Sequence, residues 1–211
     1  MFGALFVDDF FFVLTACHIL SLAASESVPI EDNAVLDTNG NSLRVGAKYA
    51  ILPLVRGSGG GVTLSPGNST CSYDVLQQKF QVLSATPVIF TPVGDKNGVV
   101  LLSTDTTITF APTEVKSLRR YYCQSSYKWK FAFDEEKQIT FIVAGGNKGE
   151  DNSGALFKIE KTDISYNLLF CPTCPTCRFA CRKVGVYIDD NGRRRLALLS
   201  DAPFEVMFKK V

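Results

Sequence analysis

The sequence predicts an all-β domain, a barrel or a sandwich, and three observations carry that expectation. Short apolar or alternating runs follow one another from Tyr49 to the end, Gly, Pro, Asn and Asp punctuate them, and helical periodicity is nearly absent. About a dozen such runs in fewer than 190 residues leave room for strands and little else. The pattern does not choose between barrel and sandwich, and no clean internal repeat is visible by eye.

In chain order the runs are YAILPLV (49–55), GVTLS (61–65), PVIFTPV (87–93), GVVLLS (98–103) and TITFAP (107–112). YKWKFAFD (127–134) follows, placing Trp129, Phe131 and Phe133 on one face against Lys128, Lys130 and Ala132. Next come QITFIVA (138–144), LFKIE (156–160) and YNLLFC (166–171). VYIDDNGRRRLAL (186–198) holds Asn191-Gly192 between two runs, the dipeptide that supplies the positive φ angles of a tight hairpin turn. FEVMFKK (204–210) closes the series, alternating Phe204, Val206 and Phe208 with Glu205, Met207 and Lys209. GSGGG (57–61) lacks the Lys-Ser/Thr of a phosphate-binding loop and reads as a turn, as does Gly145-Gly146.

The first 24 residues contain an apolar run from Phe10 to Ala24 that is too short to span a bilayer and ends in small residues. They read as a secretory signal peptide, with Asp8 and Asp9 standing where positive charge is usual, and 25–211 as a single domain. No other apolar stretch is long enough for a membrane helix, so a secreted or vacuolar protein is expected, with no membrane partner. Without residues 1–24 the charges are 22 basic against 19 acidic, a balance that argues for no nucleic-acid partner. Arg193-Arg194-Arg195 reads as a solvated strand end.

Cys17 and His18 leave with the signal, so six cysteines and no histidine remain. No Ser-His-Asp or Cys-His base and no His-ligated metal can then be built. CPTCPTCRFAC (171–181) has the C-x2-C-x2-C-x3-C spacing of bacterial ferredoxins, but Arg182 follows where their pattern has Pro. An even set of cysteines in an oxidising compartment reads as a disulfide framework, with no metal and no cofactor. Glu135-Glu136 and Asp189-Asp190 lie in polar, turn-like segments and do not suggest paired-carboxylate catalysis. Asn68-Ser69-Thr70 is an N-glycosylation acceptor in a loop rich in Gly, Pro and Ser.

VLDTNGNSLRVGAKYAILP supplies a sharper reading. Val35, Asp37, Asn39, Gly40, Asn41, Leu43, Tyr49 and Ile51 fall at the spacings of the N-terminal signature of the plant Kunitz soybean-trypsin-inhibitor family. RGSGGGVTL, LFKIEK, YNLLFCP, VGVYID and GRRRLAL with SDAPFEVMFKK continue the resemblance over 35–211, and the C-terminal block is most similar to the miraculin-like branch. The resemblance implies a β-trefoil of twelve strands in three pseudo-equivalent units, stapled by disulfides. It implies the pairs Cys71–Cys123 and Cys171–Cys181, and from the miraculin-like branch Cys174–Cys177.

It also implies function: a monomeric, non-enzymatic inhibitor whose partners are peptidases, in which an exposed loop enters the protease like a substrate. The corresponding loop is Pro92, Val93, Gly94, Asp95, Lys96, Asn97 and Gly98, with Lys96-Asn97 the candidate bond. Lys or Arg before that bond selects trypsin by charge pairing. The specificity position aligns near Gly94, and the Asn that props the loop in trypsin-inhibiting members is replaced by Val45. The alternative implied by the same resemblance is a non-inhibitory, miraculin-like defence, storage or interaction protein with a degenerate loop.

Overall fold

The computed structural model describes residues 32–67, 71–82, 84–94, 97–112, 127–145, 155–171, 181–199 and 201–211. The signal segment 1–24, Asn68, Asp95, Lys96, Cys123, Cys174 and Cys177 lie outside the described residues.

Twelve strands are formed: β1 (Lys48–Pro53), β2 (Val62–Pro66), β3 (Ser72–Gln77), β4 (Val88–Pro92), β5 (Thr106–Phe110), β6 (Trp129–Asp134), β7 (Ile139–Gly145), β8 (Lys158–Lys161), β9 (Tyr166–Phe170), β10 (Arg182–Ile188), β11 (Arg194–Leu199) and β12 (Val206–Lys210). Their pairing carries the threefold pattern that the sequence hides. β1 pairs with β4, β4 with β5, β8 with β9, β9 with β12 and β12 with β1, all antiparallel. A bridge between Thr106 and Phe157, just ahead of β8, joins the β5 and β8 regions, so six strands close a barrel without a free edge.

The other six strands form the hairpins β2–β3, β6–β7 and β10–β11. These meet one another cyclically through β3–β7, β7–β11 and β11–β3 contacts and cap one end of the barrel. Each unit of four strands therefore repeats the same scheme, its first strand pairing with its fourth and its second with its third.

Alternation places one face of each barrel strand inside. Ile51, Phe90, Ile108, Ile159, Leu168, Val206 and Phe208 are almost completely buried, as are Trp129 and Phe157. Their rings meet at tilted or edge-on angles: Phe90 with Phe208 at 5.2 Å and Trp129 with Phe157 at 5.7 Å between centroids. On β6 burial fades along the strand, from Trp129 at 0% exposure to Phe133 at 58%, so only the first part of its expected apolar face reaches the core.

Eleven of the twelve runs read from the sequence correspond to strands. GVVLLS does not: Val99 and Leu101 make only isolated bridges, to Arg44 and Ala34. The strand missed is β3, SYDVLQ, whose central Asp74 is unfavourable in a buried strand. Two arginines neutralise it. Arg193 Nη2 donates to Asp74 Oδ2 at 2.5 Å and Arg195 Nη2 to Oδ1 at 2.9 Å. Arg195 also lies over the Phe141 ring at 3.7 Å, and Arg194 donates to Gln77 and to the Ser58 carbonyl. The basic run is thus a half-buried clamp between cap hairpins, a correction to the solvated strand end read from the sequence.

The Asn191-Gly192 turn also differs from expectation. Asp189 and Arg193 remain paired, the Gly192 amide donates to the Asp189 carbonyl, and Gly192 alone takes positive φ (73°). That is a three-residue connection of the turn-plus-bulge kind, with Asp189 Oδ1 accepting from the Asn191 and Arg193 amides. GSGGG, in turn, is more than a turn. A Cβ on Gly60 would lie 2.4 Å from the Phe80 carbonyl oxygen, and one on Gly61 2.5 Å from Ala85 Cβ, so this strip lies flat against Gln77, Gln78, Phe80 and Ala85.

Candidate functional site

The site grows out of the β4–β5 connection. The two strands pair from Val88–Phe110 to Pro92–Thr106, and one further bond, Val93 N to Asp105 O at 2.7 Å, closes the ladder where the loop leaves. Pro92 is buried as the last residue of β4, Val93 is 58% exposed, and Gly94 and Asn97 are exposed. Gly94 and Gly98 both take positive φ, 71° and 67°, with open space around them. They supply the reversals that a short protruding loop needs without steric cost.

The returning limb is held by the N-terminal segment. Val45 N donates to Gly98 O at 3.0 Å, Val100 N to Leu43 O at 2.9 Å, Val35 N to Val100 O at 2.9 Å and Leu43 N to Val35 O at 2.8 Å. Val35, Leu43 and Val100 are fully buried between these extended segments. The support at position 45 is therefore main-chain, and the Val45 side chain packs against the core.

The signature residues explain their own types here. Asp37 Oδ1 accepts from the Asn39 and Asn41 amides at 2.9 Å, and Gly40 takes φ 80° in the turn between them. Buried Tyr49 accepts the Arg44 amide on its hydroxyl at 2.7 Å, and the Tyr166 hydroxyl accepts from Leu36 at 3.0 Å. A pattern visible as spacing in the sequence is a buttress in space.

The entry limb has a second fixture, one without a mark in the sequence. Lys158 Nζ on β8 lies 3.1 Å from Asp105 Oδ1 and donates to the Ser103 carbonyl at 3.2 Å. Ser103 takes left-handed φ (57°), and its amide donates to Ile159 O. Asp105, whose carbonyl receives Val93, is thereby tied to a strand more than fifty residues on. Lys158 is merely one polar position in an alternating run, so no local signal marks it. A cleft of about 190 Å³ lies under the loop, with Val93, Val99, Leu101 and Thr104 in its walls.

The other sequence-predicted positions lie elsewhere. Cys171 and Cys181 are bonded, with Cα atoms 4.2 Å apart, extending the β9–β10 ladder one pair beyond Phe170–Arg182. Cys71 is disulfide-bonded and precedes β3 with φ 64°. Among the described residues no histidine is present and no three His, Cys, Asp or Glu side chains gather as a metal site. The described loop residues Val93, Gly94 and Asn97 are thus exposed, between limbs that main-chain bonds tether on both sides.

A six-stranded barrel capped by three hairpins, with a buttressed loop at its open end, defines a β-trefoil. Residues 35–210 match the legume Kunitz family model, described as trypsin and protease inhibitor, and the chain belongs to that family. It is 40% identical over 207 residues to Kunitz trypsin inhibitor 5 of Arabidopsis thaliana, covering 95% of this chain and 96% of that one. It is also 40% identical over 216 residues to miraculin of Synsepalum dulcificum, covering 96% and 94%. Among solved structures, a Kunitz type trypsin inhibitor from Cicer arietinum is similar, with TM-score 0.70 and 34% identity over 85% of this chain and 99% of that one. Members of this family are protease inhibitors, and peptidases are the partners on which they act.

Proposed function

We propose that this chain inhibits a serine-type peptidase by offering residues 92–98 as a substrate-like loop, with Lys96-Asn97 as the bond presented. The observation that carries this reading is the anchoring of both limbs, Val93 to Asp105 on one side and Gly98 to Val45 on the other. A loop held before docking loses little entropy on binding and is slow to leave after cleavage, because its ends stay in place. Lys96 would pair with an acidic specificity pocket, as in trypsin. The glycines at 94 and 98 add freedom within the loop, and they set the limit on affinity.

The reading extends to a secreted glycoprotein, released after residue 24, glycosylated at Asn68 and acting as a monomer in plant defence. The 40% identity to miraculin favours one alternative, an interaction protein that keeps the scaffold and does not inhibit. Titration of the oxidised mature protein against trypsin, chymotrypsin, subtilisin and papain, followed by sequencing of any clipped product, separates the two. Stoichiometric inhibition of trypsin with a single slow cut after Lys96 is expected. Rapid cutting there, or no inhibition of any of the four, means the loop is degenerate.

A further inference from the structure

At the capped end, opposite the loop, lies a groove of about 520 Å³, within the usual range of small-ligand sites at roughly 300–1,000 Å³. The position follows from register: Tyr49 pairs with Val88 and Lys48 with Ile89, so β1 and β4 run oppositely, and Pro53 ends where Pro92 does not. Pro53, Val55, Val186, Pro203 and Phe204 form its apolar lining. Its walls are fixed by main-chain bonds, Leu54 N to Glu205 O at 3.0 Å and Phe204 N to Val184 O at 2.8 Å.

Two charged side chains also line it, Arg194 and Glu205. Each is oriented by neutral groups. Arg194 donates from Nε and Nη2 to Gln77 Oε1 at 3.0 and 2.7 Å and from Nη2 to the Ser58 carbonyl at 2.8 Å, and Gln77 is only 3% exposed. Glu205 Oε2 accepts the hydroxyl of buried Ser165 at 2.8 Å. Among the described residues, nothing bonds Arg194 Nη1 or Glu205 Oε1, and the two side chains form no ion pair with each other. A fixed cation and a fixed anion therefore share one apolar groove, each with an edge to spare.

We propose that this groove is a binding site for a short hydrophobic peptide with free ends, its carboxylate on Arg194, its ammonium on Glu205 and its side chains on the apolar lining. A net anion would meet Glu205 and a net cation Arg194, whereas a dipolar ligand satisfies both with charge-assisted hydrogen bonds. The site is independent of the loop at the other end and of the reading given to it.

The test is a titration of the isotope-labelled, oxidised protein with the dipeptide Leu-Phe in four forms, free, N-acetylated, C-amidated and doubly capped, followed by amide NMR shifts. The free dipeptide is expected to shift the amides around 54–58, 77 and 205 saturably and to leave Val93, Gly94, Asn97 and Gly98 unmoved. Each capped form should bind at least about tenfold more weakly, the loss of one charge-assisted bond. Glu205→Gln, which keeps an acceptor for Ser165, should bring the free dipeptide down to the level of the N-acetylated one. Val55→Trp, at a site 62% exposed, should block the groove without touching the core. The proposal is overturned if the four forms bind alike, if Glu205→Gln changes nothing, or if no saturable shift occurs up to about 10 mM.

Discussion

Asp74 sits in the middle of β3 with its side chain 9% exposed, between two arginines that arrive from β11 and the turn before it. A carboxylate there is tolerable only because both cations reach it, and removing it leaves two guanidiniums facing each other. Breaking a fully buried pair costs about 3–5 kcal/mol, and here the arginine side chains keep some solvent, 33% and 17% exposed. Asp74→Ala should therefore lose about 3 kcal/mol, read as a lower urea midpoint at unchanged slope. A change below about 0.5 kcal/mol would mean that the clamp is ornamental. The same residue shows why one strand was illegible. Its partners lie 119 and 121 positions away, and no window around SYDVLQ contains the charges that make it a strand.

Among the elements, the β4–β5 loop rests on three others: the N-terminal segment 33–45, β5 and β8. Lys158 is the outermost of these supports, holding Asp105 and Ser103, and it is about a quarter exposed, so its loss should barely disturb the core. Lys158→Met is expected to leave the thermal midpoint within a few degrees of the parent. Cleavage within 93–98 by excess trypsin should accelerate several-fold, because the entry limb is freed, and Lys158→Arg should restore the slower rate. If Lys158→Met and the parent are cut equally fast, β8 does not position the loop. The loop's location and its glycines were readable in the sequence through the family resemblance. Its supports were only half readable: the 35–51 signature was visible as spacing, while Asp105 and Lys158 carry no local mark.

For the molecule as a whole, closure of the barrel and the cap replaces edges by pairing, and the disulfides act on the unfolded chain. A bridge from Cys71 to Cys123, as the resemblance implies, would enclose a long loop worth about 4 kcal/mol on the loop-entropy model, whereas one between Cys174 and Cys177 would close a far shorter loop and gain far less. Cys71→Ser should accordingly lower the denaturant midpoint clearly more than Cys174→Ser, and equal midpoints would count against that pairing. By itself the sequence determined the all-β class, because periodicity of two and frequent turn residues are local properties, and it determined the family, because the signature spacing is written in one continuous stretch. The burial of Asp74 under Arg193 and Arg195 and the tether of the loop through Asp105 to Lys158 were decided only by the tertiary structure. Each of these joins residues far apart in the chain, and the energy that fixes them comes from desolvated contacts that exist only once the barrel has closed.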